Sequence, residues 1–478
     1  MSAHRLTLAA ALAASTVVTG CDLAPHYQVP DMGKLTDGYR ETGPWTQAAP
    51  ADTASRGHWW SVIEDPELDA LETRLDHDSP SLTAALARYD QAVDLFKQAR
   101  AGLFPEIDAS AEASHVITPP VPQYVEHDLG TGASLGYEID LWGQVRNQVR
   151  AAKDEAQASD ADAASVKLSL EAQLAEDYLN LRGLDAQIDV LRKTTDAYKQ
   201  ALDLTRQRSD GGASNELDLD RAKTQLGDVQ SQYEQAVASR SLLEHAIAAL
   251  VGESASSFTL PSDSTLASVP HVPVDTPSAL LQRRPDIAAA ERRVAEANAN
   301  IGVYRAAMYP NVTLSGGGGF ETVRSWANAA AGYWAIGPAM AVMPVFDAGR
   351  RRAGVARARS TFDAAAATYR QTVLDAFRQV EDQLALCNRL ARAEDREQEA
   401  VDAAVQTDKL ATTRYVEGAS DYLEVVIAQT AELQTRRADL MLHTQRLVSS
   451  VDLVRALGGG WSANQIPAKP KVTARAAD

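Results

Sequence analysis

The histidines are the residues that most often supply acid–base or metal chemistry, and their spacing here argues against both. Nine histidines are scattered over 478 residues, and none falls in an HExxH or HxxxH pattern. The chain has no GxSxG motif, and the glycine run at 316–319 is not followed by the Lys and Ser or Thr of a phosphate-binding loop. His245 and His443 stand alone in helical patterns, which favours surface or hydrogen-bonded core positions. We therefore predict no enzymatic activity, no metal site and no bound cofactor.

Cys21 is the residue whose context predicts a covalent modification. A short basic start is followed by the apolar residues 6–18 and by small residues directly before the cysteine. This pattern resembles the lipobox of bacterial lipoproteins, so residues 1–20 are predicted to be a signal peptide and Cys21 to carry the lipid. The alternative is a simple signal peptide with an incidental cysteine. Cys387 lies inside a helical pattern and is predicted to be a small buried side chain.

Charge and hydropathy exclude two further classes. The net charge of −18 argues against nucleic-acid binding, which requires a basic face. Beyond the leader, no stretch approaches 18 uninterrupted apolar residues, so no transmembrane helix is predicted. A chain of this kind that crosses a membrane must do so with the strands of a closed barrel.

Turn and helix signals recur at a fixed distance along the chain. Gly212 recurs 206 residues later as Gly418, each within a Gly-Ala-Ser sequence. An offset of 205 or 206 residues also separates Pro80 from Pro285, Pro105 from Pro310, and Leu141-Trp142-Gly143 from Asp347-Ala348-Gly349. Chance matches would scatter, so we infer an internal duplication. The alternative is that two helix-rich halves have turn and helix-boundary residues at matching positions by coincidence.

The duplication divides the chain into a series of segments. A lipidated amino-terminal arm (21–58) comes first and is followed by the first repeat (59–252), which contains a helix, a β-hairpin (107–141) and long helices (145–250). A linker (253–277) leads to the second repeat (278–458), which contains a helix, a β-hairpin (311–345) and long helices (350–457). A flexible tail (459–478) completes the series.

The two predicted hairpins supply only four strands. Their small residues alternate with polar ones, which is the weak signature of membrane barrel strands. Four strands cannot close a barrel, because eight is about the smallest practical number. If they span lipid, several chains must each contribute four. The alternative is a pair of soluble hairpins packed on the helices.

The helical runs have the spacing of helices that pack side by side. Between Leu170 and Leu191 the apolar residues take six steps over 21 residues, a mean of 3.5. Alanines on both faces allow neighbours on each side, which indicates a sheet or cylinder of helices. An ordinary two-stranded coiled coil is the alternative.

Several short motifs together carry a family resemblance over nearly the whole mature chain. They are Cys21 to Pro30, Leu141-Trp142-Gly143, Arg283-Arg284-Pro285-Asp286-Ile287, Tyr309-Pro310, and Pro344 to Arg351. In this order, and with the duplication, the chain resembles the outer-membrane efflux channel lipoproteins, the outer membrane factors of tripartite, RND-type efflux systems.

The resemblance implies a mainly α-helical homotrimer in the outer membrane of a Gram-negative bacterium. Each chain would give four strands to a shared twelve-stranded barrel and its long helices to a periplasmic α-barrel. Such a channel is a passive duct for drugs, toxic organic compounds or metal ions. A periplasmic adaptor and an inner-membrane RND-type transporter would be its partners.

The resemblance also implies a gate at the periplasmic tip. The turn glycines Gly212 and Gly418 would lie there, with the acids Asp218 and Glu424 narrowing and charging the entrance. Tyr415 would tie neighbouring helices together, its hydroxyl reaching a carboxylate as a releasable latch. The alternative for both acids is a solvated helix face. A second acid often found in the second turn is Ile427 here, so a ring at that level would be apolar.

Two other functions remain open at this point. One is a lipoprotein-anchored periplasmic coiled-coil scaffold without a pore, and the other is a type I protein-secretion duct. The Asp22 that follows the lipidated cysteine can signal inner-membrane retention in enteric bacteria, whereas barrel strands require the outer membrane.

Overall fold

The computed structural model is mainly α-helical with a single four-stranded antiparallel sheet, as predicted. It describes residues 21–33, 38–41, 58–118, 124–212, 215–270, 272, 281–323 and 329–470. The predicted signal peptide lies outside the described residues. Within them, no helix has both the length and the apolar composition needed to cross a membrane.

The elements follow the same order in both halves of the chain. The first half has a 3-10 helix (Trp59–Ile63), α1 (Pro66–Asp78), α2 (Pro80–Ala101), β1 (Glu106–Thr118), β2 (Tyr124–Glu138), α3 (Gln144–Asp210) and α4 (Glu216–Leu250). The second half has α5 (Pro285–Ala306), β3 (Asn311–Val323), β4 (Ala329–Val342), α6 (Arg350–Val416) and α7 (Tyr422–Ala456). Helices α3 and α6 both have 67 residues, and α4 and α7 both have 35. The predicted duplication is therefore confirmed at the level of whole elements.

Proline and aspartate set the starts of the short helices. Pro66 and Pro80 occupy the first turns of α1 and α2, where the missing N–H is not needed. The Asp65 carboxylate accepts hydrogen bonds from the N–H groups of Glu67 and Leu68. Local sequence therefore determines where both helices begin.

The sheet joins the two repeats. Its order is β1-β2-β3-β4, all antiparallel, with β2 paired to β3 from Gly130↔Glu321 to Glu138↔Thr313. The pairing is close at Gly319, where an added Cβ would collide with the Thr131 carbonyl oxygen. Strands β1 and β4 form the two edges of the sheet, and no other strand of the described residues pairs with either edge.

Both hairpins end a few residues earlier than predicted. The observed strands stop at Glu138 and Val342, rather than at 141 and 345. The reason is an aspartate that turns the chain into the next helix. Asp140 accepts from the N–H of Arg146 at 2.9 Å, and Asp347 accepts from the N–H of Gly349 at 3.0 Å.

The four long helices form a layer in the order α6, α7, α3, α4. Helix α3 packs on α4 and α7 and also carries α2 and α5, so it is buried on more than one face. At ~1.5 Å per residue it is about 100 Å long. An ordinary two-stranded coiled coil is thereby excluded. Helices α4 and α6 form the two outer edges of the layer.

The main core lies where α1, α3, α4, α6 and α7 meet. Trp60 and Tyr178 are among its largest buried side chains, and Cys387 is buried there as predicted. Glu72 of α1 is also fully buried in this region.

The arm and the tail both pack on α5. The Asn298 side chain donates to the Pro25 carbonyl at 2.8 Å, and Arg305 donates to that of Leu23 at 3.2 Å, so the start of the arm lies along α5 as an extended strap. In the tail, Trp461 and Ile466 pack against α3 and α5. The prediction of a flexible tail from residue 459 is therefore wrong as far as residue 470, because the polar tail carries these two apolar anchors.

Candidate functional site at the hairpin tips

The turns that join the long helices have the same conformation in both repeats. Gly212 and Gly418 have φ values of +73° and +75°, a region that other residues rarely adopt. In the second turn, the N–H of Gly418 donates to Tyr415 and that of Ala419 to Arg414, so two carbonyls at the end of α6 are satisfied. Both glycines therefore end a helix, as the sequence predicts.

Asp218 and Glu424 occupy equivalent places just after these turns. Asn215 caps α4 by accepting from the N–H of Asp218 at 2.9 Å, and Asp421 caps α7 by accepting from that of Glu424 at 3.3 Å. Both acids lie in the first turn of a helix, where the helix dipole favours negative charge. They therefore stabilise the tip whatever their role in a pore.

The two acids differ in their surroundings within one chain. Asp218 is only 9% exposed, and its carboxylate lies 3.3 Å from the guanidinium of Arg221. Glu424 is exposed. The single chain therefore leaves Glu424 open to solvent, together with Ile427 one turn further along α7.

Tyr415 is held by its ring and its backbone. The ring packs 5.3 Å from that of Tyr422, and the Arg208 guanidinium lies 4.5 Å over its centre. Arg208 also donates to the carbonyl oxygens of Tyr415 at 2.8 Å and Val416 at 2.9 Å. The Tyr415 hydroxyl is buried and has no hydrogen-bond partner among the described residues, so the expected bond to a carboxylate is not made there.

Arg208 is the residue of this site that sequence reasoning missed. It lies in the last turn of α3, yet it holds the last carbonyls of α6, where a cation is favoured by the helix dipole. A signal was present, because Arg208 and Arg414 each stand four residues before a turn glycine.

A small polar network extends the contact between the hairpins. The Tyr422 hydroxyl donates to Gln225 at 3.4 Å, and the Gln225 amide donates to Gln429 at 3.2 Å. Burial, with the neighbouring tyrosines and Asp218, raises the pKa of Tyr422 to about 12. Tyr422 is therefore a neutral hydrogen-bond donor under ordinary conditions.

Apolar side chains on the sheet form a second surface. Trp334 and Ile336 project from the same face of β4 and are each 81% exposed in one chain, and Ile107 of β1 is also exposed. Such a surface requires lipid or another chain to cover it.

Cys21 lies beside Gly143, at the start of α3. It is exposed, and its carbonyl oxygen is so close to Gly143 that a Cβ there would approach it to 3.2 Å. Asp22 accepts from Asn147 at 3.0 Å and from Arg150 at 2.9 Å. Although partial burial raises the pKa of Asp22, these bonds and one from the Ala24 N–H lower it overall. In the described part of the chain, no cluster of three or more His, Cys, Asp or Glu could hold a metal ion.

The comparison with protein families decides the identity. The model of the outer membrane efflux protein family matches residues 73–253 and 276–459. The chain belongs to this family. The two matches fall one in each repeat, so the duplication is shared with the family.

Two relatives and one solved structure show how far the likeness of this outer membrane efflux protein extends. The outer membrane protein OprJ of Pseudomonas aeruginosa is 29% identical, over 94% of this chain and 95% of OprJ. The pyoverdine export outer membrane protein OpmQ of the same organism is 31% identical, over 90% of this chain and 94% of OpmQ. A crystal structure of a membrane protein from Pseudomonas aeruginosa matches with a TM-score of 0.82 and 28% identity, over 93% of this chain and 98% of that one.

These likenesses confirm the predicted family, fold class, outer-membrane location and export function. The protein is an outer-membrane efflux channel.

Proposed function

We propose that three copies of this chain form a passive duct for small molecules, supplied by a periplasmic adaptor and an inner-membrane RND-type transporter. The observation that supports this assembly is that the four-stranded sheet and the layer of long helices each have two outer edges that the described residues of this chain do not cover. In the described part of the chain, the outer edges of β1 and β4 are unpaired, and α4 and α6 form the borders of the helix layer. Unpaired strand edges cannot remain in lipid, so each must pair with another chain.

The helix edges carry the apolar side chains that such pairing would cover. Leu217 and Leu242 on α4 are exposed in the single chain. Leu374, Leu386 and Leu410 on α6 are exposed as well. Contact between α4 of one chain and α6 of the next buries both sets, and a head-to-tail contact of this kind closes into a ring. Twelve strands are enough for a closed barrel.

The tip is the gate of this duct. Three copies of Glu424 form a ring of negative charge that attracts cations, and Asp218 stabilises the turn beside it. Arg208 holds the end of α6 against α3, both by its hydrogen bond to the Tyr415 carbonyl and by its position over the Tyr415 ring. Opening requires these contacts between the hairpins to separate.

The lipid on Cys21 anchors the arm beside the sheet. Cys21 is exposed next to Gly143, at the level where the strands end, and acyl chains there can enter the periplasmic leaflet. The anchor adds to the membrane contact of the strands.

Mass and conductance together test the duct. Purified full-length protein in detergent should have the mass of three chains, and in planar lipid bilayers it should give discrete single-channel openings. A monomeric mass, with no openings in any preparation, would favour the pore-less scaffold instead.

A further inference from the structure

The linker between the repeats is fixed to the first hairpin by an aspartate and an arginine. Asp185 of α3 is fully buried, and its carboxylate accepts from the Ser262 hydroxyl at 2.9 Å and from the Asp263 N–H at 3.2 Å. Arg240 of α4 binds the same carboxylate at 2.6 Å and donates to the Leu260 carbonyl at 2.8 Å. None of these contacts involves a histidine, the side chain whose charge ordinarily changes between about pH 5 and 8.

A few residues further on, the linker is fixed to the second hairpin by a histidine. His443 of α7 places Nε2 2.9 Å from the carbonyl oxygen of Ala267 and Nδ1 2.7 Å from a carboxylate oxygen of Glu394 on α6. The linker therefore crosses from α3 and α4 to α6 and α7, and it connects the two long hairpins of the chain.

Both ring nitrogens of His443 face atoms that only accept hydrogen bonds. A backbone carbonyl has no proton to give. The Glu394 carboxylate also binds Arg446, and although burial raises its pKa, the hydrogen bonds from Arg446 and His443 lower it overall. Two donors are needed to make both contacts, and a neutral imidazole has only one. The observed geometry therefore fits the imidazolium form.

Charged side chains of both helices surround His443. Glu394 and Glu397 on α6 and Asp439 on α7 are acidic, and Arg446 on α7 is the opposing cation. Burial and then Glu394 raise the pKa of Asp439, while His443 lowers it. Histidine is the side chain whose charge ordinarily changes between about pH 5 and 8.

We propose that His443 is a proton-dependent clasp that regulates the channel by fastening the linker across both hairpins. With the proton, the linker is held at Asp185 and at His443; without it, His443 keeps only one of its two contacts and the Asp185 attachment remains. The regulatory part rests on the proposed function, because separation of the hairpins is what opens the tip. Acidic conditions then favour the closed duct and alkaline conditions the open one.

Hydrogen exchange of the full-length protein, followed by mass spectrometry at pH 5.5 and pH 8.0, tests the clasp directly. After correction for the intrinsic pH dependence of exchange, peptides covering 264–270 should lose protection several-fold at pH 8.0, whereas 260–263 should stay protected. His443→Gln should show low protection of 264–270 at both values. His245→Gln, which changes another histidine in a long helix, should behave like the unaltered protein. Equal protection of 264–270 at both pH values, or parallel loss in both segments, overturns the clasp.

Conductance separates this inference from the proposed function. The exchange result does not require a conducting pore, so a pH-independent linker in a protein that still opens rejects the clasp alone. In a conducting protein, openings should be several-fold more frequent at pH 8.0 than at pH 5.5, and His443→Gln should remove that difference. An unchanged pH response in His443→Gln would overturn the regulatory role.

Discussion

Side chains at the hairpin tip stabilise the ends of the long helices, independently of any role in gating. Asp218 and Glu424 each follow a cap residue in the first turn of a helix, and both complement the helix dipole. Arg208 complements the negative end of the α6 dipole, because its guanidinium binds the last carbonyls of that helix. The contacts that build the turns are thus the ones that hold the hairpins together.

Arg208→Gln should loosen the tip, because it removes two charge-assisted hydrogen bonds and the cation above the Tyr415 ring. The expected result is a several-fold increase in open probability in planar bilayers and a loss of about 1–3 kcal/mol in unfolding free energy. Arg414→Gln is the matched control, since Arg414 stands at the same place in the other repeat and is exposed. Identical behaviour of the two variants would contradict the role assigned to Arg208.

Glu72 makes stability depend on pH. It is 0% exposed, and neither carboxyl oxygen has a hydrogen-bond partner among the described residues. Burial first, then Glu171 and Asp76, raise its pKa to about 10, from 4.5 in the unfolded chain. The folded protein keeps this proton, so stability is greatest below pH 4.5 and falls as the pH rises toward 10.

Glu72→Gln should remove this pH dependence. At pH 7 the variant should be more stable by on the order of 3 kcal/mol, and the difference should vanish near pH 4.5. Guanidinium unfolding across that pH range measures it. Glu67→Gln, on the same helix but less buried, should leave the slope unchanged. A variant that is less stable than the unaltered protein at pH 7 would show that Glu72 is ionised and paired.

At the scale of elements, the turns depend on the freedom of glycine. Gly418→Ala places a side chain at a φ of +75° and should destabilise the protein by about 1 kcal/mol. Gly227 lies inside α4, with nothing within 4 Å of an added Cβ. Gly227→Ala should therefore stabilise it by about 0.5–1 kcal/mol. Denaturant midpoints compare the two, and equal effects would refute the conformational explanation.

The sequence located the elements because their signals are local and occur twice. Prolines marked the starts of α1, α2 and α5, and Gly212 and Gly418 marked the ends of α3 and α6. The hairpin ends were placed too late, because alternation continues into residues that Asp140 and Asp347 turn toward a helix.

Contacts between distant elements could not be predicted from local patterns. Arg208 meets the end of α6 more than 200 residues away, and His443 meets a carbonyl of the linker. Neither contact produces a periodic pattern in the sequence, because each depends on which faces of distant helices pack together. The acids at the tip were located by the repeat, but only the structure shows that Asp218 is nearly buried and Glu424 exposed.

At the scale of the whole molecule, the start of the arm contacts both repeats. Cys21 lies beside α3, while the residues that follow it bind α5. If Cys21 carries the proposed lipid, the folded body therefore sets the position of that lipid.

Metabolic labelling with a fatty acid tests the anchor. The unaltered protein should incorporate label, and Cys21→Ser should incorporate none. Cys387→Ser is the control, because it removes the buried second cysteine and should leave labelling intact. Label that persists in Cys21→Ser would place the lipid elsewhere.

The two open borders of the chain have a genetic consequence. Every chain in a trimeric ring contacts a neighbour at each of its two edges, so damage to one edge of one chain prevents the ring from closing. When intact and damaged chains are made in equal amounts and mix freely, only about one ring in eight contains intact chains alone. An allele damaged at β1, β4, α4 or α6 should therefore act dominantly in a cell that also carries the healthy gene.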